Sequence, residues 1–401
     1  MARKPQTNIW LWLHRYMGLA TLAFLAIAAV TGCILCFAKP LDAALNADLF
    51  KTKNSGEQIS PIAAVEAFQA EHPDLFVHSF PLKVREGRNI LVQVEPKPSA
   101  TIEYENIFLD GVTGEVVGGR EGGPGWGRRH FVEGMLFFHY TLLGGNWGRW
   151  IMGVAALGWF AGNLIGFYLT FPKRGPFWAN WKKFWTISFR GPPARFLLDL
   201  HRASGLWVLI GVTVLAFTSV AMNFFFEAFT PAVQAVSPAK PSPWDAPAPQ
   251  TAPNLDPIDF AGALEKGTLW VTAERPAWKP AKMLTDPERD LVGVLYTRNG
   301  YENYSGLGPI FYWMKGRTGE FVYEDNPYRD SAGRKLSRSL YPLHSGEIAG
   351  WFGVAIIFLL GLATTEMCVS GLYVWWKKRG PRIAQKKAAQ QSAPRKAATG
   401  A

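Results

Sequence analysis

Cysteine is almost missing from this chain. Among 401 residues there are three, Cys33, Cys36 and Cys368, and each falls inside a long apolar stretch. The polar segments between those stretches hold none, so disulfides do not staple them. Phe37 stands where a covalent c-type haem would need His after the second Cys, which excludes that attachment. Cys33 and Cys36 leave two readings open, a redox pair or two buried thiols acting as small apolar groups. Acid is missing from one set of segments only. Residues 1–15, 173–202 and 377–401 carry eighteen Lys and Arg against a single acid, Asp199, while the rest of the chain is net negative by six. The overall charge of +11 is therefore a statement about topology rather than the footprint of a nucleic-acid partner. A small-residue cleavage site is also missing after the first apolar run, so that run reads as a retained helix rather than a signal peptide.

What is present is apolar and aromatic: 48% apolar residues, 14% aromatic, 17 Trp. Four stretches, Trp10–Phe37, Trp147–Phe171, Phe196–Phe226 and Trp351–Trp376, reach the roughly 20 residues that a membrane-spanning helix needs. The expected fold class is an α-helical membrane protein of four spans, built as a duplicated two-helix unit, with two α+β domains outside the cytoplasm. The expected divisions are helix 1 at 1–38, an outer domain at 39–138, helix 2 at 139–172 and a cytoplasmic loop at 173–195. Helix 3 follows at 196–226, a second outer domain at 227–340, helix 4 at 341–377 and a basic tail at 378–401. The basic segments place both termini in the cytoplasm.

The duplication is written at an offset of 205. Thr113-Gly114-Glu115 meets Thr318-Gly319-Glu320, His139 meets His344, and Gly145 and Gly148 meet Gly350 and Gly353. Gly166 meets Gly371, Tyr168 meets Tyr373, and Lys173-Arg174-Gly175 meets Lys378-Arg379-Gly380. The opening helices repeat at another offset: Leu13-His14-Arg15-Tyr16-Met17-Gly18-Leu19 parallels Leu200-His201-Arg202-Ala203-Ser204-Gly205-Leu206. Two halves of the same topology imply an axis along the membrane normal. Within the outer segments, Pro61–His72 reads as a helix; Lys83–Arg85, Ile90–Glu95 and Ile102–Leu109 read as strands, as do Leu291–Thr297 and Ile310–Trp313. Pro238–Pro257 reads as a proline-rich loop.

Four of the seven histidines sit at repeat-matched positions near membrane ends. His14 and His201 form an inner, cytoplasmic-side pair; His139 and His344 form an outer pair. Neutral imidazole is the usual nitrogen ligand of haem iron, so each pair suits one b-type haem and the chain suits two, with iron held by all four His. Gly18 and Gly205, four residues after their His, leave space for a flat ring. His130 meets Lys335 in the repeat and is demoted; His72 and His78 read as outer-domain surface residues. Arg15 and Arg202 either meet haem propionates or snorkel to lipid phosphate. Glu366, 22 residues past His344 and thus roughly 33 Å along a helix, lies near the inner layer and reads as a proton or quinol group or as a bundle hydrogen-bonder. Glu347 either orients His344 or faces water.

Three groups of residues carry a resemblance: the two His-Arg…Gly-Leu motifs at 14–19 and 201–206, Leu343-His344-Ser345-Gly346, and the closing Gly371-Leu372-Tyr373-Val374-Trp375-Trp376. Together with the Asp110–Glu115 turn, they resemble bacterial PepSY-associated membrane proteins, a family that includes iron-regulated ferric-siderophore reductases. The likeness covers nearly the whole chain. It implies bis-His ligation of two haem b under two periplasmic PepSY-like domains, in the bacterial inner membrane. It also implies one-electron reduction of a ferric siderophore at the periplasmic face, with electrons leaving near His139 and His344. His139 is followed by Tyr140-Thr141 where the pattern has Arg-Ser. No flavin or nicotinamide domain is fused, so the donor is expected to be separate, a quinol or a cytoplasmic reductase. Two other functions compete: a non-redox sensor or peptidase-regulating protein, which leaves the matched His unexplained, and an iron or siderophore transporter, against which stands the expected lack of a broken-helix pair.

Overall fold

A computed structural model describes residues 9–98, 100–248, 258–381 and 383–384. The stretch 249–257 of the expected Pro238–Pro257 loop lies outside the described residues; 238–248 is irregular, as expected. Nine principal helices are labelled here: α1 Ile9–Leu35, α2 Pro61–Glu71, α3 Phe131–Thr141, α4 Gly145–Leu169, α5 Pro193–Trp207, α6 Leu209–Asn223, α7 Phe260–Glu274, α8 Ala332–Ser345 and α9 Gly350–Lys377. The strands are β1 Leu75–Pro81, β2 Ile90–Pro96, β3 Asn106–Leu109, β4 Val116–Arg120, β5 Lys279–Asp286, β6 Leu291–Thr297, β7 Ile310–Lys315 and β8 Phe321–Asp325.

The chain is a multi-pass membrane protein. Among the described residues α1, α4 and α9 are long and apolar enough to cross a bilayer, and α5 with α6 makes a fourth span only if a pair bent by 71° is counted as one. This break corrects the expectation of an unbroken third helix and of no broken-helix pair. Its cause is local. Ser204 Oγ donates back to the Leu200 carbonyl at 2.7 Å and is followed by Gly205; such Ser/Gly pairs bend helices. In α1, which stays whole, Met17 stands where α5 has Ser204.

A second correction concerns the outer histidines. His139 and His344 end the short helices α3 and α8 rather than beginning the spans. Each is cut off from its span by a tight reversal at matched places. Gly145 and Gly350 take φ of +54° and +61°, which favours glycine. Gly148 and Gly353 lie so close to the Thr141 and Gly346 carbonyls that no side chain fits there.

Outside the bundle the two halves do not form separate domains. Their strands join one antiparallel sheet in the order β4-β3-β2-β1-β5-β6-β7-β8. The seam pairs Ser79 with Leu284, Phe80 with Met283 and Pro81 with Lys282, and Thr285 Oγ1 donates to the Val77 carbonyl at 2.6 Å. Each half alone would end in an open strand edge, and pairing the two edges removes that liability. Helices α2 and α7 supply Ala64, Val65, Phe68, Ala263 and Val271 to a core shared with Phe80, Val92, Met283, Val294 and Tyr296. The repeated Thr-Gly-Glu turns take the same form: Gly114 N donates to Asp110 O at 2.9 Å and Gly319 N to Lys315 O at 2.8 Å. The expected strand at Lys83–Arg85 is absent; that stretch is irregular, and the strand lies just before it at Leu75–Pro81. Asn106–Leu109 keeps only the end of the expected Ile102–Leu109 strand.

Candidate functional site

The bundle brings the four matched histidines together as two pairs. His14 on α1 and His201 on α5 have ring centroids 6.4 Å apart, with their planes inclined at 69°. His139 on α3 and His344 on α8 stand 6.1 Å apart at 66°. The second layer lies level with Thr31, which is 17 residues beyond His14 on α1, so the layers are separated by about 25 Å along the helix.

Each ring is fixed by its Nδ1. His14 meets the Gly162 carbonyl of α4 at 3.1 Å, and His201 meets Ser370 Oγ of α9 at 3.1 Å. His139 meets Thr31 Oγ1 of α1 at 2.9 Å, and His344 meets Thr218 Oγ1 of α6 at 3.0 Å. The Gly162 carbonyl can only accept, so His14 donates from Nδ1. Thr31 has the Ile27 carbonyl as an acceptor for its own proton, Thr218 has Val214 and Leu215, and Ser370 has Met367. The three hydroxyl oxygens are thereby placed to accept from Nδ1–H, the tautomer that leaves Nε2 free. That is the tautomer a metal-binding His adopts when its other nitrogen is held by a supporting group.

Close packing against glycine sets the inner rings. A Cβ on Gly166 would lie 2.9 Å from His14 Cε1, and one on Gly371 would lie 3.2 Å from His201 Cε1. In the outer layer a Cβ on Gly32 would come 3.3 Å from His139 Cε1. A cavity of 520 Å³ opens beside the inner pair; Gly18 and Gly205 border it, and its lining includes Arg15, Lys173, Arg202 and Lys378. These are two repeat-matched pairs of cations. Arg202 also lies 3.9 Å from buried Asp199 and stacks over Phe184 at 5.2 Å. The volume falls within the range of small-molecule and cofactor sites.

Other candidates fall elsewhere. Glu347 does not touch the His344 nitrogen; it accepts from Tyr304 N at 3.0 Å and from the Tyr341 hydroxyl at 3.4 Å, pinning an outer loop. Glu366 accepts from Ser204 at 2.8 Å. The thiols of Cys33 and Cys36 point to the α9 carbonyls of Phe358 and Val354, as small groups packed between helices. His130 occupies the residue before α3 without a side-chain capping bond, His72 rests on Phe68, and His78 lies 3.4 Å from Glu95. Sequence reasoning missed Thr31, Thr218, Gly162 and Ser370. A signal existed for two of them: Thr31 and Thr218 keep the same 187-residue offset that relates His14 to His201.

Among the described residues no group of three or more His, Cys, Asp or Glu is placed to hold a metal ion. Among the described residues each layer brings two imidazoles together. No curated protein matches the chain. The model of the PepSY-associated TM region matches residues 11–378, nearly the whole length, and the chain belongs to that family.

Proposed function

We propose that the protein is a four-span, di-haem electron conduit of the bacterial inner membrane. In this reading it passes electrons from a separate cytoplasmic-side donor, a quinol or a soluble reductase, to a ferric siderophore at its periplasmic face. The observation that carries the reading is the pair of matched imidazole couples, each ring held as an Nδ1–H donor with Nε2 free.

The spacing supports it. Two imidazoles hydrogen-bonded to each other directly would have centroids about 5.2 Å apart, closer than the observed 6.1 and 6.4 Å. One metal atom shared at about 2 Å from each nitrogen separates them by about 6.4 Å. Two donors per layer suit a group that brings its own equatorial nitrogens, and haem b does. His14 and His201 would hold the inner haem, His139 and His344 the outer. Arg15, Arg202, Lys173 and Lys378 in the cavity lining suit carboxylate propionates. Bound there, haem supplies a reversible one-electron couple that the side chains lack.

The rest is the work of this chain's own residues. Thr31, Thr218, Ser370 and Gly162 hold the rings in one tautomer and orientation. The glycines at 32, 166 and 371 let neighbouring helices close against them. Charge asymmetry supports cytoplasmic termini and a sheet on the opposite side. The bend between α5 and α6 removes one argument against a transporter, but a transport path explains neither the paired rings nor their fixed tautomer. A sensor built on the sheet alone leaves them equally without purpose.

A dithionite-reduced minus oxidised spectrum of the detergent-purified protein tests the reading. Sharp b-type bands at two haems per chain are expected, falling towards one in His14→Ala and in His344→Ala. A folded protein without haem would overturn the proposal.

A further inference from the structure

The two halves match in their histidines but not in what surrounds the inner pair. Around His201 the second half carries Asp199, Ser204, Glu366 and Ser370. At the corresponding places around His14 the first half carries Trp12, Met17, Ala161 and Ile165. At these four places the second half is polar where the first is not, although the first half brings Thr21 and Asn163 to the inner cavity. Polar groups in a bundle interior are costly and mark proton or ion routes when they persist.

Glu366 is the group that no structural role uses up. Its Oε2 lies 2.8 Å from Ser204 Oγ, one turn beyond His201 on α5, and shares that hydroxyl's proton with the Leu200 carbonyl. Its Oε1 is buried with no hydrogen-bond partner among the described residues. Further along α9, Ser370 and Gly371 hold and cradle the His201 ring. Glu366 thus lies on the helix that holds the His201 ring, directly before Met367 and Cys368, which line the inner cavity. Towards the cytoplasm Asp199 is buried within the same helix, paired with Arg195 at 2.7 Å and Arg202 at 3.9 Å.

The titratable surroundings are few. On α5 they are Asp199, His201, Arg195 and Arg202; on α9 itself, Cys368, which interacts with Glu366 electrostatically. Helix α1 has no titratable side chain between Tyr16 and Cys33, so it faces Glu366 with apolar groups and offers His14 and Arg15 only at the inner end. Helix α6 has none at all. Among the described residues the cations Arg195 and Arg202 pair with Asp199, and none pairs with the Glu366 carboxylate.

We propose that Glu366 is a proton-accepting residue that couples reduction of the inner centre to uptake of one proton. The inference rests on the di-haem reading. If haem held by His14 and His201 supplied the one-electron couple there, each electron arriving from the quinol or reductase donor would be matched by one proton from the cytoplasmic side adding to the Glu366 carboxylate to give the carboxylic acid. As the electron passed outward, that proton would leave. The added electron and the added proton cancel in charge, which is what a low-dielectric site favours.

Spectroelectrochemical titration of the full-length haem-loaded protein at a series of pH values tests this. In the wild type one of the two spectral components is expected to fall by about 59 mV per pH unit over part of the range, the one-electron, one-proton slope. The other component stays flat. Glu366→Gln is expected to keep two haems and lose the slope; Glu366→Asp is expected to retain it. A slope that survives in Glu366→Gln overturns the proposal, as do two flat components in the wild type, a result that needs no variant to fold. Either result leaves the di-haem reading standing, whereas absence of haem from the wild type ends both.

Discussion

At the scale of the residue, the proposed di-haem function turns on which imidazole nitrogen carries the proton. Thr31 and Thr218 decide it in the outer layer by spending their own protons on backbone carbonyls of their helices. Thr31→Ala or Thr218→Ala removes the acceptor and leaves a buried N–H unpaired. Loss of such supporting partners typically costs 10–100-fold in affinity for the metal group, so faster haem transfer to an apo-globin acceptor is expected from the outer site only. Retention as tight as wild type in both variants would show that the hydroxyls are incidental. Serine at either position keeps the acceptor and should behave as wild type. In the inner layer, packing sets a ranking. Gly166→Ala places a methyl 2.9 Å from His14, while Gly371→Ala places one 3.2 Å from His201, so the first should deplete inner haem more than the second, read as haem per chain. The ring planes add a spectroscopic test. Imidazole planes inclined at 69° and 66° are near perpendicular, and crossed axial ligands leave the ferric d-orbitals close to degenerate. The oxidised protein is expected to show large-gmax low-spin electron paramagnetic resonance signals, and rhombic signals of parallel ligands would contradict the geometry.

At the scale of the element, what could be read from the sequence was what repeats locally. Leu291–Thr297 is a strand with the expected ends, and the Pro61 helix stops one residue short of the expected His72. The Thr-Gly-Glu turns announced themselves because Asp110 organises its turn from its own side chain: Oδ1 accepts from Val112 N at 2.9 Å and Thr113 N at 3.0 Å. Burial opposes the charge of Asp110, but the Thr52 hydroxyl and these amides outweigh it and hold the carboxyl below its ordinary value. A depressed carboxyl contributes stability above its unfolded pKa and loses it as pH falls through the folded value. Asp110→Ala should therefore lower thermal stability at neutral pH by about 1–3 kcal/mol equivalent. The gap to wild type should narrow below about pH 4; a gap constant down to strong acid would assign the effect to packing instead. The elements that were not legible share a cause. The break at Val208 lies inside an apolar run and those before Gly145 and Gly350 lie just ahead of one, where hydropathy reports composition and is blind to direction. A single Ser in place of Met, or a glycine pressed against a carbonyl, turns the chain without altering the apolar run.

At the scale of the whole molecule, the sequence predicts two similar halves but not how they meet. The histidine layers were legible because both partners of each pair sit in motifs that repeat. Their supporting residues were less so, since Gly162 and Ser370 act on rings 148 and 169 residues away. The joined sheet was not legible at all. No local pattern tells β1 that its neighbour is β5, more than 200 residues later. The seam nevertheless lies in the middle of a continuous core, where Phe80 is buried against Phe260 of the other half and pairs across the ladder with Met283. If the sheet is one cooperative unit, β2 and β6 open together although neither touches the other. Native-state hydrogen exchange on the full-length protein should give their amides the same opening free energy. Phe80→Ala, expected to cost about 3–5 kcal/mol, should lower both by the same amount. If the mutation speeds exchange in β2 and leaves β6 at its wild-type rate, the halves fold independently and the seam is a contact between two domains. Equal loss would mean that the outer layer couples the two halves as firmly as the shared histidine pairs couple them within the bundle.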